Sequence, residues 1–296
     1  MSESHPLRAA AWMIGAIISF TAMAVAGRAL GDVHDTFEIM TYRSLFGFVL
    51  VIAIASAAGT MKQITFRNIP LHTLRNVCHF FGQNLWFFAV GAGTVPLAQI
   101  FALEFTTPIW ATFLAAFFLG ERLTIIRLLA AGIGFAGALI VANPWGGFEL
   151  SPALVAAAFA ALGFAGAAVA TRALVRTETI TCVLFYLTVI QAVLGLGFSL
   201  FDGQMGAPTG TSLPWLLIVA VCGLVAHFCI TKALSIAPAG VVMPIDFARL
   251  PIIAAVGMMF YNEPLQLVVF VGAILIFAAN TLNLRSETLI YNKSKR

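Results

Sequence analysis

The sequence predicts an all-α integral membrane protein of ten transmembrane helices, arranged as two inverted five-helix repeats with both termini cytoplasmic. Three observations carry that expectation. The chain of 296 residues is 61% hydrophobic and only 9% charged, whereas a soluble domain is about a quarter charged. It contains ten apolar stretches of helical length, and it matches itself at a nearly constant offset. Such a composition excludes a soluble enzyme and a nucleic-acid reader. The four cysteines, Cys78, Cys182, Cys222 and Cys229, lie inside apolar runs and show neither disulfide nor metal spacing.

A helix needs about 20 apolar residues to cross the hydrocarbon, where only helices or closed barrels satisfy every backbone group. The stretches run Ala9 to Gly27, Glu38 to Ala57, Leu74 to Gly91, Pro96 to Leu119 and Ile125 to Val141. They continue with Pro152 to Leu174, Ile180 to Phe201, Pro214 to Ala233, Ala239 to Tyr261 and Leu265 to Leu282. Ala24-Val25-Ala26 imitates a signal cleavage site, but the same triplet recurs at Ala168-Val169-Ala170, so the first stretch is read as a retained span. The longest polar connections are Gly59 to His72 and Asp202 to Ser212, too short for a further domain. With the N-terminus inside, 13 of the 16 Lys and Arg fall in cytoplasmic segments, Arg28 lies outside, and Arg43 and Arg249 lie within spans.

Phe20, Ala24, Val25, Ala26, Arg28, Ala29 and Leu30 match Phe164, Ala168, Val169, Ala170, Arg172, Ala173 and Leu174, 144 residues on. Pro96, Glu104, Phe105 and Glu121 match Pro238, Asp246, Phe247 and Glu263, 142 residues on. Repeats of five spans each enter the membrane from opposite sides, so the chain divides into residues 1–146 and 147–296, an inverted pair suited to exposing a central site to each side in turn.

The Tyr42-Arg43 pair, the run Pro108-Ile-Trp-Ala-Thr-Phe-Leu-Ala-Ala-Phe-Phe-Leu-Gly-Glu121 and the following Gly132 and Gly134 resemble the EamA-type branch of the drug/metabolite transporter superfamily. The second copy departs from the first in carrying Asn262 where Gly120 stands. The resemblance covers essentially the whole chain. It implies a basket-like bundle with a central cavity lined by the first four spans of each half, and it implies transport. It leaves the substrate open, because the family moves amino acids, nucleotides, vitamins and sugars in either direction.

An ionisable group in hydrocarbon costs at least about 2.5 kcal/mol and is a functional candidate by default. Four lie well inside spans: Arg43, Glu104, Asp246 and Arg249. Glu104 and Asp246 each follow a helix-opening proline by eight residues, about 12 Å into the membrane. Arg249 is one turn after Asp246 and is expected to pair with it, and Arg43 is expected to reach Glu104 across helices. On that pairing Asp246→Asn leaves Arg249 alone, and Glu104 is the proton carrier. Ion pairs that merely lock helices are the competing reading. Pro108 deprives the Glu104 carbonyl of its helical partner, as Pro251 does for Phe247 and Pro244 for Gly240. Gln83, Asn84 and Trp110 complete the expected substrate-binding set; Gln99 and Gln191, the imidazoles of His79 and His227, and the rings of Trp86, Phe105 and Phe247 are weaker candidates, for which packing is the better reading. Small residues around Gly132, Gly134, Gly163 and Gly166 predict close helix contacts.

No catalytic motif and no phosphate-cradling loop is present. The expected function is secondary transport of a small organic metabolite across the bacterial inner membrane by alternating access, with proton coupling through Glu104 and Asp246. A site of both charge signs with many aromatics suits a zwitterionic or planar polar substrate. The resemblance adds riboflavin and S-adenosylmethionine as candidates, beside amino acids. A lipid-carrier flippase and, less so, a membrane-embedded enzyme are the alternatives. No metal, cofactor or nucleic-acid partner is expected; the lipid bilayer is, and a homodimer is left open.

Overall fold

The computed structural model describes residues 6–119, 125–142, 151–175, 177–201, 203, 205–236, 245–246 and 248–294, and all regular structure among them is helical. Eleven α-helices follow in chain order: α1 Pro6–Leu30, α2 Thr36–Ala57, α3 Ile69–Gly91, α4 Leu97–Glu104, α5 Thr107–Leu119, α6 Ile125–Ala142, α7 Pro152–Leu174, α8 Ile180–Phe201, α9 Leu213–Ile236, α10 Arg249–Tyr261 and α11 Leu267–Ser294. A 3-10 turn at Met61–Gln63 interrupts the connection between α2 and α3.

Six stretches among the described residues are long and apolar enough to cross a membrane: Leu7–Leu30, Thr36–Ala57, Leu97–Phe118, Pro152–Thr171, Ile180–Phe201 and Leu213–Ala233. Shorter apolar helices run Leu128–Val141, Arg249–Tyr261 and Leu267–Leu282. The third expected span is a 23-residue helix but too polar to join the six, because it carries Arg75, Asn76, His79, Gln83 and Asn84. All five are buried, whereas Leu74, Phe81 and Phe88, seven residues apart on another face, are exposed. Its polar side turns inward and its apolar side outward, as a membrane solvent requires.

Residues that match in sequence form elements that match in length. α8 begins and ends 144 residues after α2, and α10 begins and ends 142 residues after α5. The main packing pairs are α1 with α9, α3 with α7, α2 with α8 and α6 with α11, each joining the first half of the chain to the second. The correspondence carries α1 onto α7 and α3 onto α9, so it exchanges the first two pairs and returns the other two to themselves. Close approach uses glycine: a β-carbon on Gly163 of α7 would lie 2.7 Å from the Gly82 Cα of α3. Gly134 of α6 likewise packs against Ile109 and Ala279, whereas Gly132 faces open space, so the small-residue expectation holds for α7 and Gly134 and fails at Gly132.

The two ends of α2 are closed by equivalent residues. Where α2 begins, His34 Nε2 meets Ser212 Oγ at 2.9 Å, and Tyr42 Oη donates to the Gly206 carbonyl at 2.7 Å. Where α2 finishes, Asn68 Nδ2 donates to Glu178 Oε1 at 2.7 Å, and Tyr186 Oη donates to the Thr65 carbonyl at 2.9 Å. Glu178 and Tyr186 stand 144 residues after His34 and Tyr42, and Ser212 stands 144 after Asn68.

The expected fourth span is broken. α4 stops at Glu104, two residues before α5, because Pro108 has no N–H to continue the ladder. Side chains take the freed carbonyls: Thr106 Oγ1 donates to Leu103 O at 2.7 Å, Thr107 Oγ1 to Glu104 O at 2.6 Å and Asn280 Nδ2 to Phe105 O at 3.0 Å. Of the expected ninth span, residues 239–244 and 247 lie outside the described residues, and with them the effects assigned to Pro244 and Pro251 on their carbonyl partners. The tenth continues past Leu282 to Ser294.

Candidate functional site: a buried chain of charged and aromatic side chains

Glu104, at the end of α4, and Asp246, just before α10, converge on one guanidinium. Arg249 Nη2 lies 2.9 Å from Glu104 Oε1 and 2.9 Å from Asp246 Oδ2. The Arg249 side chain is 3% exposed and the two carboxylates 15% and 16%, so all three are largely withdrawn from water. Trp86 of α3 donates its indole N–H to Glu104 Oε2 at 2.9 Å. Three rings surround the cation, Phe20 at 4.8 Å, Phe101 at 4.9 Å and Phe105 at 5.3 Å, where the faces of their π-systems attract it. Two ionised carboxylates against one guanidinium leave one excess negative charge. Asp246 Oδ1 and Arg249 Nε have no hydrogen-bond partner among the described residues, so the cluster also keeps a spare acceptor and a spare donor there.

Arg43 does not reach Glu104, contrary to the sequence-based expectation. On α2 it donates from Nη1 to Gln191 Oε1 of α8 at 3.0 Å and to Met40 Sδ at 3.7 Å. Gln191 Nε2 in turn meets His79 Nδ1 of α3 at 2.7 Å, and the His79 ring lies 5.1 Å from that of His227 on α9. The expectation that Asp246 alone balances Arg249 is corrected too: the arginine holds both acids, so either one can be neutralised without orphaning it.

Phe20 of α1 joins the two groups. Its ring faces Arg249 on one side and makes an edge contact with His227 at 6.0 Å on another. A continuous path therefore runs from Glu104 and Asp246 through Arg249, Phe20, His227, His79 and Gln191 to Arg43. Sequence reasoning left Phe20 out and ranked Trp86, His79, His227 and Gln191 below the charged set. Their shared signal is that each is a polar or aromatic residue on a face turned toward the bundle interior.

The remaining expected site residues lie elsewhere. Gln83 and Asn84 are buried on α3. Asn84 Nδ2 donates to Phe80 O at 2.7 Å, and Gln83 Nε2 and Asn84 Oδ1 have no partner. Trp110 is half-buried on α5, and Trp86 is the indole that meets Glu104. Gln99 ties α4 to Val141 O at 2.7 Å, the helix-joining role weighed for it. Phe247 and Glu121 lie outside the described residues.

At the Arg28 end of the bundle, Arg28 pairs with Glu263 and donates to Val90 O at 2.9 Å and Val95 O at 2.8 Å. Glu263 also accepts from the Leu97 N–H at 2.8 Å. Asn262, at φ 53°, turns the chain back at the end of α10, a left-handed position that glycine or asparagine takes most readily. The exchange of glycine for asparagine between the repeats is thus sterically consistent.

At the opposite end, His72, Glu178 and Cys182 bring their side-chain donor atoms within 4.8 Å of one another, a grouping that the cysteine spacing alone does not reveal. Glu178 accepts from Thr65 Oγ1 and Asn68 Nδ2, each at 2.7 Å. Burial pushes its carboxyl up, but these donors outweigh it and hold the group below the usual carboxylate range. The cluster fastens the connection between α2 and α3 to the start of α8.

A model of the EamA-like transporter family matches the chain twice, at residues 7–143 and 151–285. The S-adenosylmethionine uptake transporter of Rickettsia bellii is 26% identical over 282 residues, 95% of either chain. The riboflavin transporter of Vibrio cholerae is 30% identical over 268 residues, 88% of this chain and 87% of its own. A solved crystal structure superposes with a TM-score of 0.67 at 17% identity, over 98% of this chain and 99% of its own, a likeness of fold.

Proposed function

Because the chain belongs to the EamA-like transporter family, we propose that Glu104, Asp246 and Arg249 form the centre at which it carries its substrate by alternating access. The protein is a multi-pass membrane transporter of small metabolites and not an enzyme. In this reading ten spans cross the bacterial inner membrane with both termini inside, and residues 1–146 and 147–296 are the inverted halves. The matched lengths of α2 and α8, and of α5 and α10, support that division.

One observation carries the mechanism: a single nitrogen of Arg249 holds a carboxylate from each half. Asp246 and Arg249 belong to the same half, so when the halves move against each other it is the Glu104 contact that must lengthen. The excess negative charge then falls on the released acid, which takes up a proton or a cationic group of the substrate. Transport is thereby linked to proton movement through Glu104 and Asp246. Gln83 and Asn84, with open polar atoms in the interior, and Trp110 are further substrate contacts in this reading.

Uptake of labelled S-adenosylmethionine, riboflavin and aromatic amino acids into proteoliposomes, with and without an imposed proton gradient, tests the proposal. Accumulation of one of them, driven by the gradient and lost in Glu104→Gln, is the expected result. Uptake indifferent to the gradient, at normal rate in the variant, leaves a plain facilitator, and lipid scrambling without uptake overturns metabolite transport.

A further inference from the structure

Resting on the transporter reading above, we infer that Arg43 and Arg75, with His79, His227 and Gln191, form a second pole of the substrate site, built for a carboxylate or phosphate group. Arg43 and Arg75 are 5% and 4% exposed, yet among the described residues neither pairs with a carboxylate. Arg75 donates from Nε to Thr171 Oγ1 at 3.2 Å and from Nη1 to Asn76 Oδ1 at 2.7 Å. Arg43 commits only Nη1 to protein partners. Both lie within electrostatic range of His79 and His227 and of each other. Two buried guanidiniums, beside buried His79 and half-buried His227, thus share one region without a compensating anion among the described residues.

Five helices build this region. α2 supplies Arg43, α3 supplies Arg75 and His79 one turn apart on the same face, α8 supplies Gln191, α9 supplies His227, and α7 supplies Thr171. Gly223, one turn before His227, gives Arg43 its place: a β-carbon there would stand 2.8 Å from Nε and 3.1 Å from Nη2. The guanidinium edge that makes bidentate bonds to carboxylate and phosphate therefore rests against bare backbone. Beside it is a water-sized cavity lined by Arg43, Ser44, Thr188 and Gln191, among others. The repeat has put Leu187 where Arg43 stands in the first half, so this charge is not duplicated by symmetry.

An uncompensated cation at membrane depth is costly, and a ligand anion is the partner that relieves it. At the other end two carboxyl groups face one guanidinium, and Phe20, His227 and His79 connect the two. A substrate with separated charges fits with its cationic part at Glu104 and Asp246 and its anionic part at Arg43 and Arg75. The favoured substrate class is a zwitterion or an anion, over an uncharged molecule.

The test compares compounds that differ only in the anionic group: S-adenosylmethionine against its decarboxylated form, flavin mononucleotide against riboflavin, and L-tryptophan against tryptamine. Each is measured by thermal shift of the purified protein and by proteoliposome uptake. The anionic member of at least one pair is expected to bind tenfold or more tightly than its counterpart. Arg43→Gln and Arg75→Gln should erase that preference, and Arg43→Lys should retain part of it. Should either Gln variant not fold, the wild-type preference and Arg43→Lys still decide. Equal or better binding of the members that lack the anionic group, or a preference that survives Arg43→Gln and Arg75→Gln, overturns the anion pole. Uptake of a member lacking the anionic group, without preference for its partner, does so while leaving the transporter intact, whereas neither binding nor uptake of any compound removes both.

Discussion

Glu104 and Asp246 share one nitrogen, Arg249 Nη2, at equal distances of 2.9 Å. Removing either acid leaves the arginine a partner, and removing both leaves it none. Glu104→Gln and Asp246→Asn should therefore each lower thermal stability modestly, while the double variant should lose about 3–5 kcal/mol, the cost of stranding a buried charge. Thermal unfolding in detergent measures this. A double variant no less stable than the sum of the singles would show that the arginine is balanced elsewhere.

Trp86→Phe keeps a ring beside Glu104 and deletes the N–H that donates at 2.9 Å. A hydrogen bond to a charged group contributes about 1.5–3 kcal/mol, or roughly tenfold to a hundredfold in an equilibrium. Uptake is expected to weaken by that order with the fold retained. Normal transport kinetics would mean that the indole only fills space.

Arg28 and Glu263 tie the ends of α1 and α10 to the start of α4. Arg28→Gln should raise the open population at that end at least tenfold, which requires a loss of only about 1.4 kcal/mol. The readout is labelling of a Val95→Cys variant by a membrane-impermeant maleimide, with and without Arg28→Gln. Val95 is 4% exposed, so slow labelling in the presence of Arg28 and fast labelling without it is expected. Equal rates would count against a closure role.

Glu178 titrates below the ordinary carboxylate range because Thr65 and Asn68 donate to its ionised form. Its folded value is depressed, so its contribution to stability is present above the unfolded carboxylate value and fades as the pH falls through the folded one. Wild-type stability should decline across the acidic range relative to Glu178→Gln, the two curves converging at low pH. Parallel curves would contradict this.

Much of the architecture was legible because lipid imposes simple rules on sequence. α7 and α8 begin and end where their apolar runs do, and the offset of 144 residues anticipates that α8 repeats the length of α2. The break after Glu104 follows from one proline. Lateral neighbours are different, since the depth of Arg43 along α2 says nothing about which helix stands beside it. That choice is made by Gly223 and Gln191 on α9 and α8, so Arg43 meets Gln191 instead of Glu104. Trp86 met Glu104 for the same reason: only the packed bundle brings α3 against the end of α4. The grouping of His72 with Glu178 and Cys182 depends on contact between the start of α3 and the start of α8.

Tyr42 and Tyr186 close their respective ends by donating to main-chain carbonyls, those of Gly206 and Thr65. A carbonyl is present whatever side chain occupies a position. These two bonds therefore do not depend on the side chains at positions 206 and 65, whereas the His34–Ser212 and Asn68–Glu178 contacts at the same ends need their own side chains. Loop replacement that preserves length and keeps Thr65, Asn68 and Ser212 should leave both seals in place.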